Sequence, residues 1–81
     1  MLVTGTNAAE ALTGSGGDDI IFGEGGSDVI KGLGGNDHLY GGTGADIVSG
    51  GDGNDWIEGE LGADLLYGDA GNDRILSLIH I

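Results

Sequence analysis

Aliphatic side chains recur at every ninth residue of this chain, each as the middle residue of a three-residue segment. They are Leu12, Ile21, Ile30, Leu39, Val48, Ile57, Leu66 and Ile75. Successive side chains of a β-strand point to opposite faces, so each segment predicts a short strand with its central side chain turned inward. The six residues between segments are rich in glycine and aspartate, which predicts tight turns. The pattern therefore predicts eight similar strand-and-turn units.

The units align as eight frames of nine residues, numbered 1 to 8, that run from Gly5 to Leu76. Position one is glycine in all eight frames, and position four is glycine in all but frame 1, which has Ala8. A period of this depth is typical of solenoid proteins, in which repeats stack on one another. We interpret residues 5–13 as a degenerate capping repeat, residues 14–75 as the repeats proper and residues 1–4 as a lead-in.

Position six is aspartate in frames 2 to 8 and Glu10 in frame 1. Glycines at positions one and four permit positive φ, so the first six residues of a frame can form a turn that aims carbonyl oxygens toward one point. The aspartate adds an anionic oxygen, and Ca²⁺ prefers 6–8 such oxygen ligands. The predicted metal ligands are Asp19, Asp28, Asp37, Asp46, Asp55, Asp64 and Asp73.

The nine-residue pattern resembles the nonapeptide G-G-x-G-x-D-x-U-x of the repeats-in-toxin (RTX), or haemolysin-type, calcium-binding proteins over residues 5–75. Position two departs from it, since only Gly42 and Gly51 are glycine there. The resemblance implies an all-β fold, a right-handed parallel β-roll of about four turns with calcium in the turns. Frames n and n+2 would stack, which pairs the aspartates into five sites, with Glu10 and Asp28 as a weaker sixth.

The same resemblance implies a secreted, extracellular module of a larger toxin, protease or adhesin that is exported by a type I system.

Each strand contributes only one inward side chain, so the core is thin for the chain length. We therefore expect the chain to be largely unfolded without calcium and to fold when it binds calcium.

The charge balance excludes several other classes of function. Fourteen acidic residues face only Lys31 and Arg74, for a net charge of −12, which disfavours nucleic acid and anionic lipid as partners. The absence of cysteine excludes disulfides and thiolate zinc sites. No apolar run has the ~18 residues that a membrane span needs. Neither His38 nor His80 belongs to a nucleophile constellation, so we expect no enzyme activity.

Aromatic residues suggest an alternative function. In the predicted roll the outward positions of the even-numbered frames would form a stripe that contains Phe22, Tyr40 and Trp56. Such a face could contact a polysaccharide or an adjacent domain of the parent protein. High β-propensity alone also places such residues on outward strand positions, so the alternative remains open.

The last residues differ from the repeat. Residues 76–81, "LSLIHI", resemble an in-frame translation of the transposase mosaic-end adaptor used in sequencing libraries. We expect them to be an adaptor scar and the chain to be a fragment of a longer array. A native edge strand is the alternative, because the segment alternates apolar and polar residues.

Overall fold

A computed structural model describes residues 2–60 and 62–76, and in this part of the chain all regular structure is β-strand. The described residues form nine strands of three residues each. Their bounds are β1 (Leu2–Thr4), β2 (Ala11–Thr13), β3 (Ile20–Phe22), β4 (Val29–Lys31), β5 (His38–Tyr40), β6 (Ile47–Ser49), β7 (Trp56–Glu58), β8 (Leu65–Tyr67) and β9 (Arg74–Leu76). Strands β2 to β9 each occupy positions seven to nine of a frame, as the sequence predicts.

Alternate strands pair in parallel, which builds two sheets. One sheet has the order β1-β3-β5-β7-β9 and the other β2-β4-β6-β8. The register is constant: Ile21 pairs with Leu39, and Leu39 pairs with Ile57, two frames later. Two frames thus make one turn of a β-solenoid of about four turns, which confirms the predicted parallel architecture and the stacking of frames n and n+2.

The core consists of the position-eight side chains, which meet between the two sheets. Five of them are completely buried, namely Ile21, Ile30, Leu39, Val48 and Ile57. Val3, Leu12 and Leu66 pack against this cluster and are partly buried, whereas Ile75 in the last strand is 44% exposed. In the middle of the stack each side chain is covered by its counterparts in the layers on both sides. At the ends it is covered on one side only, so burial decreases there.

At both chain ends the strand pattern extends beyond the predicted repeats. Residues 2–4, expected to be a lead-in, form strand β1, and Val3 pairs with Ile21 in the register of the later strands. Leu76, assigned to the adaptor segment, belongs to β9, and its carbonyl accepts a hydrogen bond from the N–H of Gly59 at 3.0 Å. Residues 77–81, and with them the rest of the adaptor interpretation, lie outside the described residues.

The turns owe their shape to positive φ at positions two and four. At position four the φ values run from 82° at Gly26 to 113° at Gly62. At position two even residues with side chains adopt the left-handed region, with φ of 69° at Glu24 and 70° at Leu33. The expectation that position one uses positive φ is wrong; its glycines serve another purpose, described below. No helix in the described part of the chain is long and apolar enough to cross a membrane.

Candidate metal centre

The glycine at position one leaves room for two oxygen atoms beside its α carbon. A Cβ added to Gly23 would lie 2.8 Å from Oδ2 of Asp28 in the same frame and 2.5 Å from the carbonyl oxygen of Gly41, two frames later. At Gly50 the corresponding distances are 2.5 Å to Oδ2 of Asp55 and 3.0 Å to the carbonyl oxygen of Gly68. Any side chain would displace these oxygens, so glycine is required here for space.

A ladder of backbone hydrogen bonds orients the aspartates. In frames 2 to 6 the N–H of the aspartate donates to Oδ1 of the aspartate two frames later, for example from Asp28 to Asp46 at 2.8 Å and from Asp37 to Asp55 at 2.9 Å. This bond gives Oδ1 a hydrogen-bond partner and directs Oδ2 toward the glycine at position one of the same frame. The structure thus brings the sequence-predicted aspartate pairs together, joined by a backbone donor.

The second carboxylate oxygen of these residues is buried without a hydrogen-bond partner. The atoms concerned are Oδ2 of Asp28, Asp37, Asp46, Asp55 and Asp64. The first four residues are no more than 3% exposed. Buried polar atoms in folded proteins almost always have a partner, so two regular columns of unpartnered anionic oxygens need an explanation.

Burial also changes the acidity of the inner aspartates. Loss of solvation raises the pKa of Asp37 and of Asp46 to about 6, against the hydrogen bond from the preceding aspartate N–H, and the neighbouring carboxylates raise it further. Burial likewise raises the pKa of Asp55. A proton or a cation therefore stabilises these carboxylates in the folded chain.

The first two loops, taken as positions one to six of a frame, are different. In frame 2 the N–H of Ser15 donates to Oδ2 of Asp19 at 2.7 Å, and in frame 1 the N–H of Thr6 donates to Oε1 of Glu10 at 2.7 Å. The Ser15 N–H is the largest influence on Asp19 and, despite burial, lowers its pKa. Glu10 thus takes the place of aspartate, and its longer side chain reaches the same glycine-lined space: a Cβ on Gly5 would lie 2.7 Å from its Oε1.

The last two loops also carry their predicted aspartates. The atoms nearest to a Cβ on Gly59 all belong to Asp64, and those nearest to a Cβ on Gly68 all belong to Asp73. Both aspartates are half-buried. Their Oδ1 atoms accept the N–H of Asp46 and of Asp55, so the ladder extends to the final frame.

Sequence reasoning missed a second ladder, at position five. Asn72 N–H donates to Oδ1 of Asn54 at 2.8 Å, and Asn54 N–H donates to Oδ1 of Asn36 at 2.8 Å. Asn36 N–H in turn donates to Oδ1 of Asp18 at 2.7 Å. The signal was an amide or carboxylate at position five in every second frame. These bonds tie together the loops on one side of the roll.

In the five intervals from frames 2 and 4 to frames 6 and 8, one aspartate oxygen and one glycine carbonyl oxygen lie beside the same glycine, which suits a hard cation such as Ca²⁺. Within residues 2–60 and 62–76 no group of three or more His, Cys, Asp or Glu side chains is placed to hold a metal ion. A cation here must therefore draw on backbone carbonyl oxygens in addition to carboxylates.

A comparison with protein families supports this chemistry. The family model described as the RTX calcium-binding nonapeptide repeat (four copies) matches residues 4–39 and again residues 40–75. The comparisons with curated proteins and with solved structures gave no match. The two family matches together span eight frames and reach from β1 into β9.

Proposed function

Because this chain belongs to the family of RTX calcium-binding nonapeptide repeats, we propose that it is a calcium-binding module whose folding depends on Ca²⁺ held between stacked loops. The observation that carries the proposal is the two columns of buried Oδ2 atoms without a hydrogen-bond partner. The Oδ2 atoms of Asp28, Asp37, Asp46 and Asp55 each lie beside the same glycine as a carbonyl oxygen, and two such oxygens repel each other unless a cation lies between them.

Four intervals combine a glycine carbonyl oxygen with an aspartate Oδ2 that has no hydrogen-bond partner, whereas beside Gly14 the Oδ2 of Asp19 accepts the N–H of Ser15. We assign to them Oδ2 of Asp28 with the carbonyl of Gly41, Asp37 with Gly50, Asp46 with Gly59, and Asp55 with Gly68. Oδ2 of Asp64 and of Asp73 would serve in the same way in the last two loops. The remaining ligands of each Ca²⁺ would be further loop carbonyls and water, since the ion takes 6–8 oxygens.

The energetics explain why folding would depend on calcium. A buried polar atom without a partner costs about 1–3 kcal/mol, and a charged atom costs more. Five such atoms occur among the described residues of this chain, which has a net charge of −12 and a core of two single rows of aliphatic side chains. These costs approach the whole stability of a small domain, about 5–15 kcal/mol. Calcium removes them only in the folded state, so binding free energy becomes folding free energy.

The family is a structural calcium-binding repeat rather than a catalytic one, and its members are generally secreted. We propose that this chain likewise works outside the cell, as part of a larger toxin, protease or adhesin exported by a type I system. Extracellular calcium modules bind with dissociation constants of about 10⁻⁴–10⁻³ M. That range would keep the module unfolded in calcium-poor cytoplasm and folded outside.

A calcium titration of the full chain, followed by far-ultraviolet circular dichroism, tests this proposal. At pH 7.5 we expect little β-structure in chelator and a cooperative gain with Ca²⁺, while Mg²⁺ at the same concentration gives no such gain. The raised pKa of about 6 at Asp37 and Asp46 adds a pH dependence. Protonation stabilises the metal-free fold most fully below about pH 4, and this contribution is lost as the pH rises through 6.

Two pH-dependent results should therefore accompany the titration. β-Structure in chelator should be greater at pH 4.5 than at pH 7.5. The calcium midpoint should be higher at pH 5 than at pH 7.5, since protons compete for the same carboxylates. Complete β-structure in chelator at pH 7.5 would contradict coupled folding, and an equal response to Mg²⁺ would contradict a calcium site.

A carbohydrate-binding role is a second candidate, favoured by a cleft of about 440 Å³ on the outer surface. The rings of Phe22 and Tyr40 stack at a centroid distance of 4.9 Å and line this cleft together with Glu24 and Glu60. Aromatic rings stack on sugar rings, and the carboxylates disfavour anionic sugars. The ligand class would be a neutral or amino-sugar oligosaccharide.

Trp56, in contrast, is already engaged by neighbouring side chains. Its Nε1 donates to Oε2 of Glu58 at 2.6 Å, and the guanidinium of Arg74 lies 5.4 Å from its ring centroid. The predicted aromatic stripe is thus divided into an open pair at the cleft and a tryptophan with its own partners.

The variant Tyr40→Ala separates the carbohydrate role from calcium binding. Tyr67→Ala is the matched control, because Tyr67 is 47% exposed on the other sheet and does not line the cleft. With calcium-loaded protein and chito-oligosaccharide as the probe, calorimetry should show binding weakened about tenfold or more by Tyr40→Ala only. Calcium-induced folding should persist in both variants. If the unmodified chain binds no oligosaccharide, this second role is wrong.

A further inference from the structure

We propose that hydroxyl residues take the place of the cation in the first two loops, so that residues 5–22 form a metal-independent first turn on which the calcium-dependent loops stack. This inference rests on the proposed function. It assigns a role to Thr6 and Ser15, which occupy position two of frames 1 and 2.

The hydrogen bonds distinguish these two loops from the later ones. Asp19 receives the N–H of Ser15 at Oδ2 (2.7 Å) and the hydroxyl of Ser15 at Oδ1 (2.9 Å). Glu10 receives the N–H of Thr6 at Oε1 (2.7 Å). In frames 3 to 7 the equivalent Oδ2 atom has no partner. The first two loops face a carbonyl oxygen from two frames later, as the later loops do, but each adds an N–H donor to the carboxylate that the later loops lack.

The orientation of one peptide group accounts for the difference. At position two the left-handed conformation occurs in every frame from 3 to 8, at Glu24, Leu33, Gly42, Gly51, Glu60 and Asp69. Thr6 and Ser15 do not adopt it. The peptide that joins positions one and two is therefore oriented differently in the two sets of frames. In frames 1 and 2 its N–H donates to the carboxylate of the same loop. In the later frames its carbonyl oxygen faces the carboxylate of the loop two frames earlier. An N–H donor stabilises the negative charge of a carboxylate, whereas the partial negative charge of a carbonyl oxygen destabilises it.

The hydroxyl groups stabilise this alternative turn. The N–H of Gly17 donates to Oγ of Ser15, and the N–H of Ala8 donates to Oγ1 of Thr6, both at 3.2 Å. Serine and threonine commonly accept the N–H two residues later in this way. Position four is then free of positive φ in both frames. This explains why frame 1 tolerates Ala8 where every later frame has glycine, and frames 3 to 8 have no hydroxyl residue at position two.

The first two loops also offer backbone acceptors to the loops above. Gly25 N–H donates to the carbonyl of Thr6 at 3.1 Å, and Val29 N–H donates to the carbonyl of Glu10 at 2.8 Å. Loops 1 and 2 therefore need no cation of their own, yet they present the template on which loops 3 and 4 stack. Calcium loading would then begin at Asp28, and Asp19 would be a structural carboxylate.

Counting bound calcium in two full-length variants at saturation tests the inference. Ser15→Gly makes position two of frame 2 a glycine, as in frames 5 and 6, and should raise the count by one ion per chain. The control is Leu33→Gly, since Leu33 already has φ of 70°, and its count should equal that of the parent. Equilibrium dialysis with metal analysis gives the counts, and circular dichroism verifies the fold.

The reverse variant, Leu33→Ser, places a hydroxyl in the loop of Asp37 and should lower the count by one. This variant decides the question if Ser15→Gly fails to fold. Equal counts in the parent, Ser15→Gly and Leu33→Gly would overturn the inference while leaving calcium binding intact. A parent chain that binds no calcium would overturn the proposed function as well, so the two failures are distinguishable.

Discussion

Replacing Gly35 with alanine is expected to remove most of the calcium-induced β-structure, whereas the same change at Gly17 leaves it intact. Both residues occupy position four, and Gly35 stacks directly on Gly17. Gly35 has φ of 87°, and a Cβ there would lie 2.5 Å from the carbonyl carbon and oxygen of Gly17. A left-handed alanine costs roughly 1–2 kcal/mol and the forced backbone shift roughly 1–3 kcal/mol, together a large part of the stability of a small domain.

Gly17 provides a matched control because it differs from Gly35 in both respects. Its φ lies outside the left-handed region, and the nearest atom to a Cβ there is Oγ of Ser15 at 3.9 Å. Circular dichroism of both variants in saturating calcium measures the effect. If Gly35→Ala gave the same signal and thermal midpoint as Gly17→Ala, the close contact of position four with the loop two frames earlier would be contradicted.

The second large effect is expected from Asp46→Asn, which should reduce the bound calcium by one ion per chain. Oδ1 of Asp46 accepts the N–H of Asp28 at 2.8 Å, and the amide oxygen of asparagine can keep that bond. The amide nitrogen then replaces Oδ2, which shares the space beside Gly41 with the carbonyl of Gly59. An N–H donor in that place can donate to the carbonyl oxygen of Gly59, so this interval needs no cation.

The same substitution should make the metal-free chain easier to fold. It removes a buried carboxylate whose pKa is raised to about 6 and whose unpaired oxygen costs about 1–3 kcal/mol. β-Structure in chelator at pH 7.5 should therefore increase, and its dependence on pH should weaken. Asp52→Asn is the control, because it changes the net charge equally at an exposed position. A calcium count that remains at the parent value in Asp46→Asn would contradict the ligand assignment.

Much of this fold could be predicted from the sequence because a solenoid repeats one local environment. The aliphatic residue at position eight is buried in the middle layers because the same position two frames away covers it, as Ile21 and Leu39 show. A nine-residue period therefore specifies strand positions, register and core together. The stacking of Asp28 on Asp46 follows from the same period.

The sequence pattern did not explain why some positions depart from the repeat or why others are always glycine. Ala8 identified frame 1 as degenerate, but its cause lies in the Thr6 hydroxyl, which forms a turn without positive φ at position four. Likewise, glycine at position one was attributed to backbone conformation, yet it serves to admit two oxygens, as at Gly23. Residue types at fixed spacing show that glycine is required and leave open which contact requires it.

The sequence by itself therefore determined the period, the inward row of aliphatic residues and the set of aspartates that stack in the turns. Only the tertiary structure decided which oxygen of each aspartate has a partner, that Asp19 is satisfied by Ser15 while Asp37 is not, and that Tyr40 rather than Trp56 lines a cleft. The physical reason is that these outcomes depend on the direction of individual peptide groups and side chains. That direction follows from competition among donors and acceptors in neighbouring layers, which a one-dimensional pattern does not record.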